Sequence, residues 1–289
     1  MITNKFTQFL LLFLLMLIGC NPVLPPTPEE AYQNNLDYLK KQAFKYWDKR
    51  SSENDAVMAT FFMEKAHLLE PENLGLALRL SRAYHFQAYY IETDQNQKDS
   101  LFTHGASISM NVIKQSPAFK QVYNDVNGDS MTKMIQSVAA VEKEYIDALY
   151  WWAANMGRYL SSKSVRERLD YRDLAESVIH RVLSLNPDYF YGGPYRYFGA
   201  LYARLPGVEL KRSEEYFNKA IKSHPNYLGT YVLRARFLHT KAGDRDKFKQ
   251  DLEYVINADP ALIPEVMPEN LFEQKLAQIL LEQEDLLFK

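Results

Sequence analysis

The chain has 289 residues, of which 47% are hydrophobic and 24% charged, with 34 Lys and Arg against 36 Asp and Glu. A chain of this length buries a sizeable core in one large domain or two small ones, and its near-neutral balance argues against nucleic acid as a partner. Its only cysteine, Cys20, excludes an internal disulfide and argues against a thiol nucleophile or a cysteine metal site.

At the amino end Lys5 precedes an apolar run from Phe9 to Ile18, too short and too near the terminus to serve as an ordinary spanning helix. Residues 1–19 are therefore expected to be a signal peptide. The ending Leu17-Ile18-Gly19-Cys20 resembles the lipobox of bacterial lipoproteins, which implies cleavage before Cys20, a lipid on that cysteine and a tether to a membrane outside the cytoplasm, inner or outer left open. Four prolines between Pro22 and Pro28 cannot form helix and favour an extended spacer. This divides the chain into the signal peptide, a tether over 20–28 and one folded domain over 29–289.

From Glu29 onward the pattern is helical. Ala31, Leu36, Leu39, Phe44 and Trp47 recur at roughly helical spacing until Ser51-Ser52-Glu53-Asn54-Asp55 interrupts them with cap-forming residues. Met58, Phe62, Ala66 and Leu69 predict the stripe of a second helix ending at Glu70-Pro71. A third, Leu74 to Tyr90, is apolar on more than one side and is expected to pack between two neighbours. Asp94 to Ser100 reads as a polar turn, Leu101 to Ile113 as helix, and Ser116-Pro117 as its break. Asp147 to Leu160 predicts a central helix, apolar nearly all round. Leu271 to Leu287 reads as a capping helix that closes a stack, and no apolar alternation persists long enough for a strand.

Helices ending in a polar residue plus proline occur at Pro71, Pro187, Pro225 and Pro260, and the last three lie 38 and 35 residues apart. That spacing is close to the roughly 34-residue tetratricopeptide period. Counting back five and eight residues finds Ala66 and Met63, Val182 and Ile179, Ala220 and Phe217, Val255 and Leu252, where that repeat places its packing pair. Each hairpin must stack on neighbours to bury its apolar face. The expected fold is all-α, a tetratricopeptide-like helical hairpin solenoid or bundle.

Asp125, Asn127 and Asp129 match the first oxygen ligands of a calcium loop, but Ser130 and Gln136 stand where the sharp-turn glycine and the bidentate acid are needed. A polar turn is the better reading, and no metal site is expected. The histidines at 67, 85, 104, 180, 224 and 239 show no metal-ligand spacing and suit surface or capping roles. No nucleophile elbow or phosphate loop is present. Two aromatic groups remain, Tyr150, Trp151 and Trp152 on the central helix, and Tyr189, Tyr191, Tyr195, Tyr197 and Tyr202 in a glycine-rich stretch ending at Gly207. Core packing and pocket lining are both open to them.

The run from Ala148 to Gly157, taken with Gly192-Gly193-Pro194-Tyr195-Arg196-Tyr197 and its continuation to Gly207, resembles the T component of TRAP transporter systems, the TatT family. The resemblance covers nearly the whole mature chain. It implies a periplasmic lipoprotein without enzymatic activity or cofactor. Such proteins associate with the substrate-binding P component of a tripartite transporter, and a family member forms a homotrimer with a hydrophobic pore through each protomer. Tyr150, Trp151, Trp152, Asn155, Gly192, Gly193, Pro194, Tyr195, Arg196 and Tyr197 match the family's motif positions. With Tyr191 and Tyr202 they are the candidates to line a pore or bind a hydrophobic or amphipathic small molecule. A tetratricopeptide scaffold for envelope protein assembly, with no small-molecule site, is the alternative reading.

Overall fold

The structure, a computed structural model, describes residues 25–288; Cys20 and the signal-peptide segment lie outside the described residues. The described residues fall in two units, one ending at Tyr38 and the other starting at Leu39. In the first, residues 25–27 carry no regular structure and Pro28 opens helix α1 (Pro28–Trp47). Thr27 and Glu30 cap it reciprocally: the Glu30 N–H donates to Thr27 Oγ1 at 3.2 Å, and the Thr27 N–H donates to Glu30 Oε2 at 2.8 Å.

The second unit continues α1 and contains α2 (Glu53–Leu69), α3 (Leu74–Phe86, extended by a π turn Gln87–Ile91), α4 (Gln95–Ile113), α5 (Pro117–Asp125), α6 (Ser130–Ala140) and α7 (Ile146–Ser161). Then follow α8 (Val165–Asp170), α9 (Arg172–Leu185), α10 (Tyr189–Arg204), α11 (Leu210–Ser223), α12 (Gly229–Leu233, extended by a π turn Arg234–His239), α13 (Arg245–Asn257), α14 (Met267–Glu282) and α15 (Glu284–Leu287). Among the described residues there is no strand.

Side-chain caps set most of the starts. Ser52, Asn73, Asp94, Ser116, Asp129 and Asp244 each accept a backbone N–H of the first turn of the helix they precede. One sequence expectation changes for this reason, and the polar turn expected around Asp125 to Ser130 lies between two helices. Asp94 to Ser100 is not a free polar turn: Asp94 Oδ1 accepts the Gln97 N–H at 2.9 Å, so α4 starts at Gln95. Asp129 caps α6 through the Thr132 N–H at 2.7 Å, and Asp125 ends α5.

The proline-terminated helices α2, α9, α11 and α13 end at Leu69, Leu185, Ser223 and Asn257, just ahead of Pro71, Pro187, Pro225 and Pro260, because proline disfavours the α conformation in the residue before it. Their buried faces carry the repeat pairs Met63 and Ala66, Ile179 and Val182, Phe217 and Ala220, Leu252 and Val255. In α2 the buried stripe is Ala56, Ala59, Thr60, Met63 and Ala66; of the expected stripe of Met58, Phe62, Ala66 and Leu69, Ala66 lies in it and the others lie beside it. Fully burying side chains such as Phe198, Phe217, Phe248 or Leu149 stabilises the fold by roughly 1.5–3 kcal/mol each.

Within this unit α3, α7, α10, α12 and α14 face a common interior. The two ends of the series are joined directly. Glu269 on α14 accepts from Arg50, after α1, at 2.9 Å and from Arg82 on α3 at 2.6 Å. Phe272 packs on Phe86 and Tyr90, with ring centroids 5.5 and 5.4 Å apart. The last long helix thus closes the hairpins into a ring.

Candidate functional site

The start of α10 is unlike any other helix start among the described residues. Phe190 (φ 44, ψ 56), Tyr191 (φ 57, ψ 51) and Gly192 (φ 72, ψ 25) form a left-handed turn before the right-handed helix resumes. For the two non-glycine residues this costs of order 1–3 kcal/mol each, and glycine at the third carries no such penalty. The cost is offset locally by Arg196, only 5% exposed. Its Nη1 donates to the Tyr191 carbonyl at 3.0 Å and to Thr230 Oγ1 at 3.4 Å; its Nη2 donates to the Phe190 carbonyl at 3.2 Å and to the Tyr150 hydroxyl at 3.0 Å. The guanidinium also lies 4.2 Å from the Tyr227 ring centroid.

Tyr150 occupies the space that a side chain at residue 193 would need, since a Cβ there would overlap its ring. The Gly192-Gly193-Pro194 sequence is therefore read at three levels: a left-handed residue, a close approach, and a proline in the first right-handed turn, where its missing N–H leaves nothing unpaired. The turn aims Phe190 inward, against Tyr150 (5.3 Å) and Trp151 (4.9 Å).

The ring of helices surrounds a cavity of about 100 Å³ that opens in part to solvent. Its walls are Arg82, His85, Tyr89 and Tyr90 from α3 and its π turn, Tyr150, Trp151, Gly157 and Arg158 from α7, and Phe190, Gly193, Arg196, Tyr197 and Arg204 from α10. Tyr227, Leu233 and Phe237 and the α14 residues Glu269 and Glu273 complete it. A second cavity of about 60 Å³, walled by Leu160, Val165, Leu169, Leu201, Leu205 and Pro206 with Arg168 and Arg172, shares Gly157, Tyr197 and Arg204 with the first. At that junction Gly157 has no Cβ, which would lie 2.9 Å from Tyr197 Cε2.

Two carboxyl groups one turn apart on α14 meet different surroundings. Glu269 is shared by Arg50 and Arg82. Glu273, 2% exposed, accepts the Tyr90 hydroxyl at 2.8 Å through Oε1, while its Oε2 has no partner. Burial pushes the Glu273 carboxyl above the ordinary carboxylate range, which favours the neutral form. Burial, with Arg158, Arg82 and Arg196 adding to it, lowers the His85 imidazole well below its usual value, so it too is held neutral. The cavity is thus aromatic with polar points, the usual make-up of a small-molecule site. Among the described residues no group of three or more His, Cys, Asp or Glu side chains could hold a metal ion.

Of the residues singled out in the sequence, Tyr150, Trp151, Gly193, Arg196 and Tyr197 line the cavity. The others are placed elsewhere. Trp152 is buried in the main hydrophobic core, and Asn155 ties α7 to α3 by donating to the Ser81 carbonyl at 3.3 Å and its hydroxyl at 3.2 Å. Tyr191 stacks on Tyr227, Tyr195 lies against Tyr216, and Tyr202 stacks on Phe198 while accepting from Arg212 at 2.9 Å. Gly192 and Pro194 shape the turn.

Sequence reasoning missed Arg82, His85, Tyr90, Arg158, Arg204, Tyr227, Glu269 and Glu273. For the histidines a correction is needed: His85 lines the cavity, and His239 is buried with its Nε2 3.1 Å from Asp251 Oδ2. The signal available was polar residues within the all-round apolar helix Leu74 to Tyr90, where Arg82 and His85 lie one turn apart.

No curated protein matches the sequence. The model of the TRAP transporter T-component family matches residues 56–288, which include all five helices of the ring, the left-handed turn and both carboxyl groups of α14. The chain belongs to the TRAP transporter T-component family.

Proposed function

We propose that the protein is a non-enzymatic, lipid-anchored periplasmic component of a tripartite ATP-independent transport system, held to its membrane through Cys20. In this reading it docks the substrate-binding P component and offers an apolar path for a hydrophobic or amphipathic organic acid, working as a homotrimer. The observation that carries it is the aromatic cavity at the centre of the helix ring, walled by the same α7 and α10 segments that bear the family motifs. A binding role suits those walls, because stacked aromatic faces supply large apolar contact and the few polar groups fix orientation. Among the described residues no helix is long and apolar enough to cross a membrane, and the anchor assigned to Cys20 gives the ring its attachment. The test is co-purification with the P component expressed from the same genome, followed by native mass spectrometry of the isolated chain. A stable complex and a retained apolar ligand support the reading; absence of both removes it.

A further inference from the structure

The two cavities meet where guanidinium groups stand without an ion pair to a carboxylate among the described residues; the acid that Arg158 and Arg236 act on, Glu273, is held towards its neutral form by burial. Arg204, half-buried, lines both of them and also a surface groove shared with Arg168, Arg236 and Lys241. Its Nε donates to the Ala200 carbonyl at 3.0 Å, and its guanidinium lies 4.8 Å from the Phe237 ring centroid. Arg158, one residue beyond the Gly157 gap, lies 3.5 Å from the Tyr89 ring centroid. Among the described residues no ion pair joins Arg158, Arg168, Arg204 or Arg236 to a carboxylate. Burial and repulsion from these neighbours lower the Arg204 guanidinium to about 10, the expected response of a crowded cation that lacks an anion.

Of the other cavity arginines, Arg168 joins this unpaired group and Arg172 is paired with Glu176. Arg82 is paired with Glu269, and Arg196 is spent on two carbonyls, Tyr150 and Thr230. The unpaired guanidiniums that face the cavities therefore gather at one place, the junction, where a single anionic group of a ligand would meet them. On one side of it lies the aliphatic cavity of Leu160, Leu201 and Leu205, and on the other the aromatic one. A guanidinium presents paired N–H groups that match a carboxylate, while the apolar walls suit a hydrocarbon body.

Resting on the reading of the cavity as a ligand site, we propose that the junction is a carboxylate subsite. It selects amphiphilic monocarboxylates over dicarboxylates and over uncharged amphiphiles, with Arg158 and Arg204 as the anion's partners. The test is calorimetric titration of the mature chain with decanoate, 1-decanol and decanedioate. Decanoate is expected to bind about tenfold or more tighter than either of the others. In the R158Q/R204Q variant that preference over 1-decanol should collapse to within about twofold, and in R158K/R204K most of it should survive. Wild-type decanoate affinity should also fall between about 0.02 and 0.5 M salt, with 1-decanol unaffected; this arm needs no variant to fold. Decanoate and 1-decanol binding equally well, or decanedioate binding best, overturns the subsite and leaves the cavity reading intact. If none of the three binds, the cavity reading fails and the subsite falls with it.

Discussion

Arg196 reaches back five residues to donate to the carbonyl of Tyr191 at 3.0 Å, and so holds in place the left-handed turn that precedes its own helix. Replacing it leaves the Phe190 and Tyr191 carbonyls and the Tyr150 hydroxyl without their donor in a buried setting. R196A is expected to lower unfolding free energy by about 3 kcal/mol or more, since orphaned buried acceptors cost roughly 1–3 kcal/mol each. R196K, which cannot span the same four acceptors, should recover only a part. Urea denaturation of the two variants checks this.

Gly193 and Tyr150 are matched in shape, because any Cβ at 193 overlaps the tyrosine ring. G193A is expected to destabilise by about 2–3 kcal/mol through overpacking. In a Y150L background the same change should cost at least about 1 kcal/mol less, a coupling that a double-mutant cycle measures directly. Equal costs in both backgrounds would separate the two residues.

Glu273 gives a pH dependence whose sign can be worked out. Its folded pKa is raised by burial, so its contribution to stability is fully present below the unfolded value of about 4.3 and is lost as pH rises through the folded value. E273Q keeps an acceptor for the Tyr90 hydroxyl and removes the penalty. It should melt a few degrees above wild type at pH 7.5, and the difference should shrink as pH falls towards about 4.

His85 acts in the opposite sense. Burial lowers its folded pKa, so its contribution is present above the unfolded value of about 6.5 and is lost as pH falls through the folded value. H85F should flatten the decline of the melting temperature on going from pH 7 to pH 5, read by circular dichroism at each pH.

Glu269 lies between Arg50 and Arg82 and is 4% exposed. Removing one partner of a buried ionic cluster leaves unpaired charge, so E269A should cost about 3–5 kcal/mol. It should also loosen the contact of Phe272 with Phe86 and Tyr90, visible as faster amide exchange in α14 and in the π turn after α3.

The helical hairpins were legible because the proline spacing and the small and large packing pairs are local signals. Phe217 with Ala220, and Leu252 with Val255, fall where the repeat count puts them. The α2 stripe was placed beside the buried one, except at Ala66, because Met58 and Phe62 are larger than Ala56 and Ala59, and apolar size outweighed register. The motif segments of α7 and α10 pointed to the cavity, but their residues divide between wall and scaffold. Asn155 reads as a site residue from its place in the motif and Tyr202 from its place in the aromatic stretch, whereas their partners, Ser81 and Arg212, make them ties between helices. The polar residues of the cavity come from α3, α7, α10 and α14, regions far apart in the chain, and nothing in one segment reports what another brings to face it. The left-handed turn was equally hidden, because Phe190 and Tyr191 are residue types that seldom adopt it.

The join between Glu269 and the arginines Arg50 and Arg82 also bears on how the molecule comes apart. An open stack of hairpins has only nearest-neighbour interfaces, so it can fray from either end and melt piece by piece. Linking first and last members adds an interface that spans some 219 residues of sequence, and either terminal hairpin can then leave only by breaking two interfaces instead of one. Fraying is suppressed and melting becomes more nearly all-or-none. Closing so long a loop is also slow, so during synthesis the central chamber is completed only once α14 has been made and docked.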